Sequence, residues 1–314
     1  MTLLLDPPAW PAHGTLWSHL VSDTSLHELR SFARAQGVGD RAFDLDHYDV
    51  PADRHDALVA AGAVPVTGGE LSRRLAGSVL RVPGRERRRA SRDALLARWA
   101  ALWEPGAGAP GEIGRDLVDR WREPHRVYHS RLHLADSLDA LDLLVADGAP
   151  GSRWHAAAAL WFHDAVHDGE AGRDEERSAA LVGRLLGPLA DLVRRTGTDE
   201  PLMRHDVDEV TRLVLVTTAH DPDATDATGA LVSDADLAVL GADPGRYARY
   251  AAQVRAEYGH VPDDAFRAGR AAVLDQLAGL PRLYRSPAAV ARWAGAAEHN
   301  LRAERAALGP GAPA

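Results

Sequence analysis

The 314-residue chain contains no cysteine and no lysine. Without Cys there are no disulfides, thiolate ligands or cysteine nucleophiles, so a transition-metal or hard-cation site has to be built from His, Asp and Glu. Without Lys every basic side chain is Arg, which excludes a Walker lysine, a Schiff base and a lysine general base. Positive charge is also in deficit: 36 basic against 45 acidic residues give a net charge of −9. That balance argues against nucleic acid or an anionic membrane as the main partner, because neutralising phosphates needs clustered positive charge. The run RVPGRERRRASR at 81–92 is a local exception and reads as a solvated linker or first helical turn. No stretch approaches the roughly 18 uninterrupted apolar residues of a membrane span, and Met1 to Asp6 has neither the basic region nor the apolar core of a signal peptide, so a cytoplasmic protein is expected.

What the chain does have is length and apolar content (46%) enough for two domains and a sizeable core. Segments of strand and helix character alternate over residues 1–83. TLLLD (2–6), RAFDL (41–45) and VPV (64–66) read as strands, while SLHELRSFARAQG, DRHDALVAAGA and GELSRRLAG read as helices. The order βαβαβα predicts a small α/β domain with a largely parallel sheet. After a basic linker at 84–90 only helical patterns follow, at about 113–122, 130–146, 152–167, 174–195, 206–219, 234–240, 244–258, 263–279 and 287–307. EPGAGAPGE at 104–112 interrupts them as a loop or hinge, and 309–314 is a frayed Pro/Ala/Gly tail. The expected fold class is therefore mainly α, with an all-helical domain over 91–308 preceded by the small α/β domain.

Fifteen histidines carry the chemical interest, and two helical regions hold the useful ones. In PHRVYHSRLHLADSL, His129 and His133 lie four residues apart with Asp136 one turn further. In WHAAAALWFHDAVHD, an apolar helix ends in His163 and Asp164, followed by His167 and Asp168. A buried carboxylate at such an end costs several kcal/mol unless partnered. Consecutive His and Asp side chains on a helix diverge by about 100 degrees, so both reach one cation only beside a second helix. His133 offers a second imidazole and SDADLAVLG (233–241) a second carboxylate, a set suited to zinc, iron, manganese or cobalt and less well to magnesium.

The ordered set of His133, then His163-Asp164, then an Asp about 70 residues later resembles the HD superfamily of metal-dependent phosphohydrolases. EPHRVYHSRLHL, LWFHDAVHD, DEERSA, SDADLAVLG, YARYAAQVRAEYGHVP and FRAGRAAVL extend that likeness over nearly all of 91–308, toward a bacterial subfamily of predicted HD phosphohydrolases. The resemblance implies His133, His163, Asp164 and Asp236 as metal ligands, with Asp234 as the rival for the last place. It implies hydrolysis of a phosphomonoester, nucleotide or related small phosphorylated substrate by metal-activated water. In that reading Asp164 is also a proton acceptor, and Glu175 or Glu176 orients water or substrate. His129, His167 and His220 are candidates for a second metal or for supporting the ligands. The chain has His167 where the subfamily commonly has Tyr, and Asp174 where it has Asn, which leaves one or two metals open. Arg126, Arg255 and Arg270 are the candidate phosphate-binding groups. Two alternatives remain: a di-iron oxygenase of the same fold, which the extra histidines keep open, and a non-catalytic metal- or nucleotide-binding module.

In residues 1–83 the polar residues gather after the expected strands, with Asp6, His13, His19, Asp23, Asp46 and His47 as candidates, since ligands of parallel α/β sheets bind at strand carboxyl ends. DPPAWPAHG, SHLVSDTSLHELRSFA, RAFDLDHYDVP and ELSRRLAGSVLR resemble a small bacterial domain family of unknown function over residues 1–82, which implies a domain boundary and no activity.

Overall fold

A computed structural model describes residues 2–103, 110–170, 172–196 and 202–309. Most of the Gly/Pro-rich stretch at 104–112, and the tail beyond Gly309, lie outside the described residues. By its contacts the chain divides into two compact units, Met1–Gly84 with Pro244–Pro262, and Arg85–Asp243 with Asp263–Ala314. The molecule is mainly helical, 63%, with a small α/β sheet region at the N-terminal end. Among the described residues no helix is long and apolar enough to cross a membrane.

The first unit contains β1 (Leu3–Leu5), β2 (Trp10–Ala12), β3 (Thr15–Ser22), α1 (Leu26–Ala35), β4 (Tyr48–Pro51), α2 (Ala52–Ala60), β5 (Val64–Pro65) and α3 (Gly68–Ala76). The helices follow from their sequences. Ser25 caps α1 by accepting the Glu28 amide, and Leu26, Leu29 and Ala33 recur at helical spacing on its buried face.

The sheet departs from the parallel arrangement expected. β3 is its long strand; β1 and β2 pair with its two ends antiparallel, β4 pairs with its middle antiparallel, and only β1 and β5 run parallel. The reason is a hairpin at His13 and Gly14. Their φ values of 49° and 77° close a two-residue turn of the primed kind and return the chain directly as β3, with no crossover helix. The strand expected at 41–45 is instead a 3-10 turn at Asp40–Ala42, and the pairing strand lies further on at β4. α12 (Pro244–Glu257) completes this unit: the buried Arg249 donates to the Arg81 carbonyl at 2.7 Å, and the backbone at Gly259 lies against His27.

In the second unit the basic stretch forms α4 (Gly84–Arg89), whose Arg89 pairs with Asp136 and Asp139. The helices α5 (Arg92–Ala101), α6 (Gly111–Arg120), α7 (Arg131–Ala146), α8 (Arg153–Phe162), α9 (Arg173–Thr196), α10 (Arg204–Val216), α11 (Ala227–Asp236), α13 (Asp263–Gly279) and α14 (Pro287–Leu308) make up the rest. Trp99, Trp121, Trp161 and Phe162 fill the core between α5, α6 and α8, with Trp121 Nε1 donating to the Trp161 carbonyl at 3.0 Å. A 3-10 turn at Leu237–Gly241 follows α11 and packs on α14, where a Cβ at Gly241 would stand 2.3 Å from Cβ of Trp293. A cavity of 1150 Å³ with a mostly apolar lining lies between α13 and α14, and it is lined by none of His133, His163, Asp164 and Asp236.

Candidate metal centre

The C-terminal ends of two helices and the first turn of a third meet in the second unit. α8 is apolar and buried from Ala156 to Phe162, and so drives its C-terminal end inward. His163 is its C-cap and Asp164 lies just past it. Leaving the helix at that point lets two consecutive side chains converge, which the fixed rotation within a helix opposes. α7 supplies His133 from its buried first turns, and Asp236 is the last residue of α11.

Their ligand atoms cluster tightly. His133 Nε2 lies 2.9 Å from Asp236 Oδ1 and 3.2 Å from His163 Nε2; His163 Nε2 lies 3.1 Å from Asp164 Oδ2 and 3.4 Å from Asp236 Oδ1. His133 Nε2 and Asp164 Oδ2 are 3.7 Å apart. Ligand distances of about 2.1 Å imply donor separations of about 3.0 Å in an octahedral and about 3.4 Å in a tetrahedral set. The observed spacing brackets both.

Each imidazole is held from behind. His163 Nδ1 donates to the Leu160 carbonyl at 2.8 Å, so its Nε2 is the nitrogen that faces the other three side chains. The Ser137 hydroxyl donates to the His133 carbonyl at 3.0 Å, leaving its oxygen to face His133 Nδ1 at 3.5 Å. Ser137 and Leu160 went unmarked in the sequence reading, although Ser137 stands at the i+4 position that would have identified it. The rings are 3% and 1% exposed, so two carboxylates here demand a positive partner. Burial pushes the His163 imidazole down, but the charges of Asp164 and Asp236 override it and hold its pKa well above the ordinary value. Burial raises both carboxyls, but His163, joined by His129 at Asp164 and by His133 at Asp236, outweighs it and holds them below the usual carboxylate range. With both imidazoles deprotonated, as metal ligation requires, the four side chains would carry −2, and the residues present fit a divalent cation.

The other candidates are distributed around this centre. His220 Nε2 lies 3.6 Å from Asp236 Oδ2, and burial keeps its pKa below the ordinary value. His129 precedes α7 instead of lying within it, and its ring stacks on His167 with centroids 4.1 Å apart. Asp234 points elsewhere, accepting the backbone amides of Arg285 and Ser286 at 2.6 and 2.7 Å where α14 begins. Glu175 is taken up at the start of α9, where it accepts the Gly172 amide at 2.6 Å; Glu176, on the same turn, is exposed.

The three candidate phosphate-binding arginines have internal partners. Arg126 donates to the carbonyls of His129, Asp164 and Ala165, Arg255 to those of Tyr258 and Val261 in the first unit, and Arg270 makes a two-pronged pair with Glu304. Arg285, which the sequence reading passed over, does reach the centre's edge, donating to the His220 carbonyl at 3.1 Å and pairing with Asp221.

In the first unit His13 is a turn residue of the β2–β3 hairpin, and Asp23 pairs with Arg74. Asp6 Oδ2 lies 3.0 Å from His19 Nδ1, and Asp46 Oδ1 lies 2.9 Å from His47 Nδ1. Residues 3–78 match the family described as Protein of unknown function (DUF4031). No curated protein and no solved structure matches the chain. The DUF4031 segment takes in the whole sheet and α1 to α3 and stops short of the helical unit, so it speaks to the N-terminal α/β region alone.

Proposed function

We propose that the helical unit is a divalent-metal-dependent phosphohydrolase of the HD type, acting on a phosphomonoester, nucleotide or related small phosphorylated substrate. The observation that carries this reading is the convergence of His133 Nε2, His163 Nε2, Asp164 Oδ2 and Asp236 Oδ1 within 3.7 Å along the five separations above, in the chain order that the HD resemblance implies. When bound, manganese, iron, cobalt, zinc or, less well, magnesium supplies Lewis acidity, lowering the pKa of a coordinated water and polarising a phosphoryl oxygen.

The chain's own groups do the rest. The Leu160 carbonyl and the Ser137 hydroxyl fix the two rings in the tautomer that presents Nε2. Arg126 holds the backbone on which Asp164 sits. His220 stays neutral at pH 7 through its burial and stands beside Asp236 as a proton acceptor or hydrogen-bond donor toward substrate. Arg285 adds positive charge at the same edge.

The test is metal analysis of chelator-free full-length protein beside an Asp164→Ala variant, with a phosphatase screen on both. Turnover in the wild type, with about one metal more per chain than the variant holds, and no turnover in the variant support the reading. A wild type that binds no metal and hydrolyses nothing overturns it.

A further inference from the structure

We propose that the DUF4031 segment carries a second, separate divalent-metal site, formed by His19, His47 and Asp49. His19 on β3 and Asp49 on β4 are direct cross-strand partners, and His47, two residues before Asp49, shares its face of the sheet. The opposite face, with Leu20, Tyr48 and Val50, is fully buried, so these three side chains stand together on the accessible side.

Both imidazoles are oriented by buried carboxylates. Asp6, 3% exposed, accepts the His19 amide with one oxygen and faces His19 Nδ1 at 3.0 Å with the other. Asp46, fully buried, faces His47 Nδ1 at 2.9 Å and accepts the Val82 amide at 2.6 Å. A carboxylate accepts, so each Nδ1 is engaged by its carboxylate and Nε2 is the ring nitrogen left to face a cation. These Nε2 atoms turn toward Asp49 Oδ1, at 3.9 Å from His19 and 3.4 Å from His47, and all three ligand atoms lie within 4.8 Å of one another. Two carboxylate–histidine pairs aimed at one point are the arrangement that orients imidazoles on a metal.

The His47–Asp49 separation sits at the upper edge of the roughly 3.0 to 3.4 Å of a closed set, and the His19–Asp49 separation exceeds it. Asp49, 47% exposed, can turn inward to close it. Two imidazoles and one carboxylate select a borderline ion of the zinc, cobalt or iron(II) kind and leave the remaining positions open to water or a small anion. Trp10 forms the rim, its ring edge-on to His19 with centroids 5.5 Å apart.

The test uses the full-length Asp164→Ala protein, which lacks one of the first centre's two carboxylates, titrated with Co2+ alone and followed by visible absorption and metal content. About one Co2+ per chain is expected, with affinity at least tenfold lower on adding Asp49→Asn or His47→Gln. Asp6→Asn, which touches no metal, is expected to weaken binding by about 10- to 100-fold as a positioning residue. Circular dichroism and melting of the metal-free variants identify any that fail to fold; Asp49→Asn, at a half-exposed position, is the variant that should keep the fold. No binding by the Asp164→Ala protein, or binding unchanged by Asp49→Asn, overturns the proposal. Neither result bears on phosphatase turnover by the wild type.

Discussion

Arg126 Nη1 donates to the main-chain carbonyl of Asp164 at 2.6 Å, so the backbone that carries the second half of the His-Asp pair is clamped by a guanidinium with no side-chain exposure. The same group reaches the carbonyls of His129 and Ala165, pairs with Glu123 and lies over the Trp121 ring. Arg126→Ala strands those acceptors and is expected to cost about 3–5 kcal/mol. Arg126→Lys, lacking the planar fork, should recover only part of it. Denaturant unfolding measures the loss; an effect below about 1 kcal/mol would show the clamp to be unimportant.

Asp234 and Asp236 lie two residues apart and have opposite roles in the structure. Asp236→Asn is expected to lower metal affinity by at least tenfold with little change in melting temperature of the metal-free protein. Asp234→Asn turns one amide nitrogen toward the Arg285 or Ser286 N–H and should cost about 1–3 kcal/mol while the folded protein still binds metal. Metal titration and thermal melting of the two variants side by side check this, and the reverse pattern would exchange the roles.

Stability of the first unit should fall in acid through Asp40. Burial raises this carboxyl, but hydrogen bonding from Arg34 and the charges of Arg30 and Arg34 bring its pKa below the ordinary 3.8. A depressed folded-state pKa contributes stability that is present above about pH 4 and lost as pH falls through the folded value. Asp40→Asn should therefore melt earlier than wild type at pH 7, with the difference shrinking below about pH 4. Parallel melting curves across that window would be the contrary result.

Gly241→Ala should be destabilising by about 1–3 kcal/mol, because its Cβ would meet the Trp293 backbone and Cβ, and a backbone cannot turn aside as a flexible side chain can. Thermal melting reads it directly.

The helical periodicities were legible in the sequence because each depends on residues three or four apart. α1, α7, α9 and α14 fall where Leu26/Leu29/Ala33 and their equivalents place them. β3 was not. Its half-exposed Trp17 and His19 alternate with a buried Ser18, so TLWSHLVS lacks the apolar alternation of a strand and reads as a polar loop. The antiparallel sheet depends on positive φ at His13, a residue that only a hairpin turn would force there. At the candidate centre, chain order pointed to the four residues that the fold brings together, but the assignment of Asp234 to the start of α14 is a contact across 51 positions that no local pattern encodes. The same holds for the internal partners of Arg126 and Arg270.

Residues 244–262 join a unit whose other members end at Gly84. On a ribosome the sheet and α1 emerge first, yet α12, whose Arg249 reaches the Arg81 carbonyl 168 positions back, and the Gly259 turn that packs on His27 are made only after most of the helical unit. The N-terminal unit therefore waits, incomplete, through the synthesis of most of the helical one, and no single cut of the gene yields either unit whole.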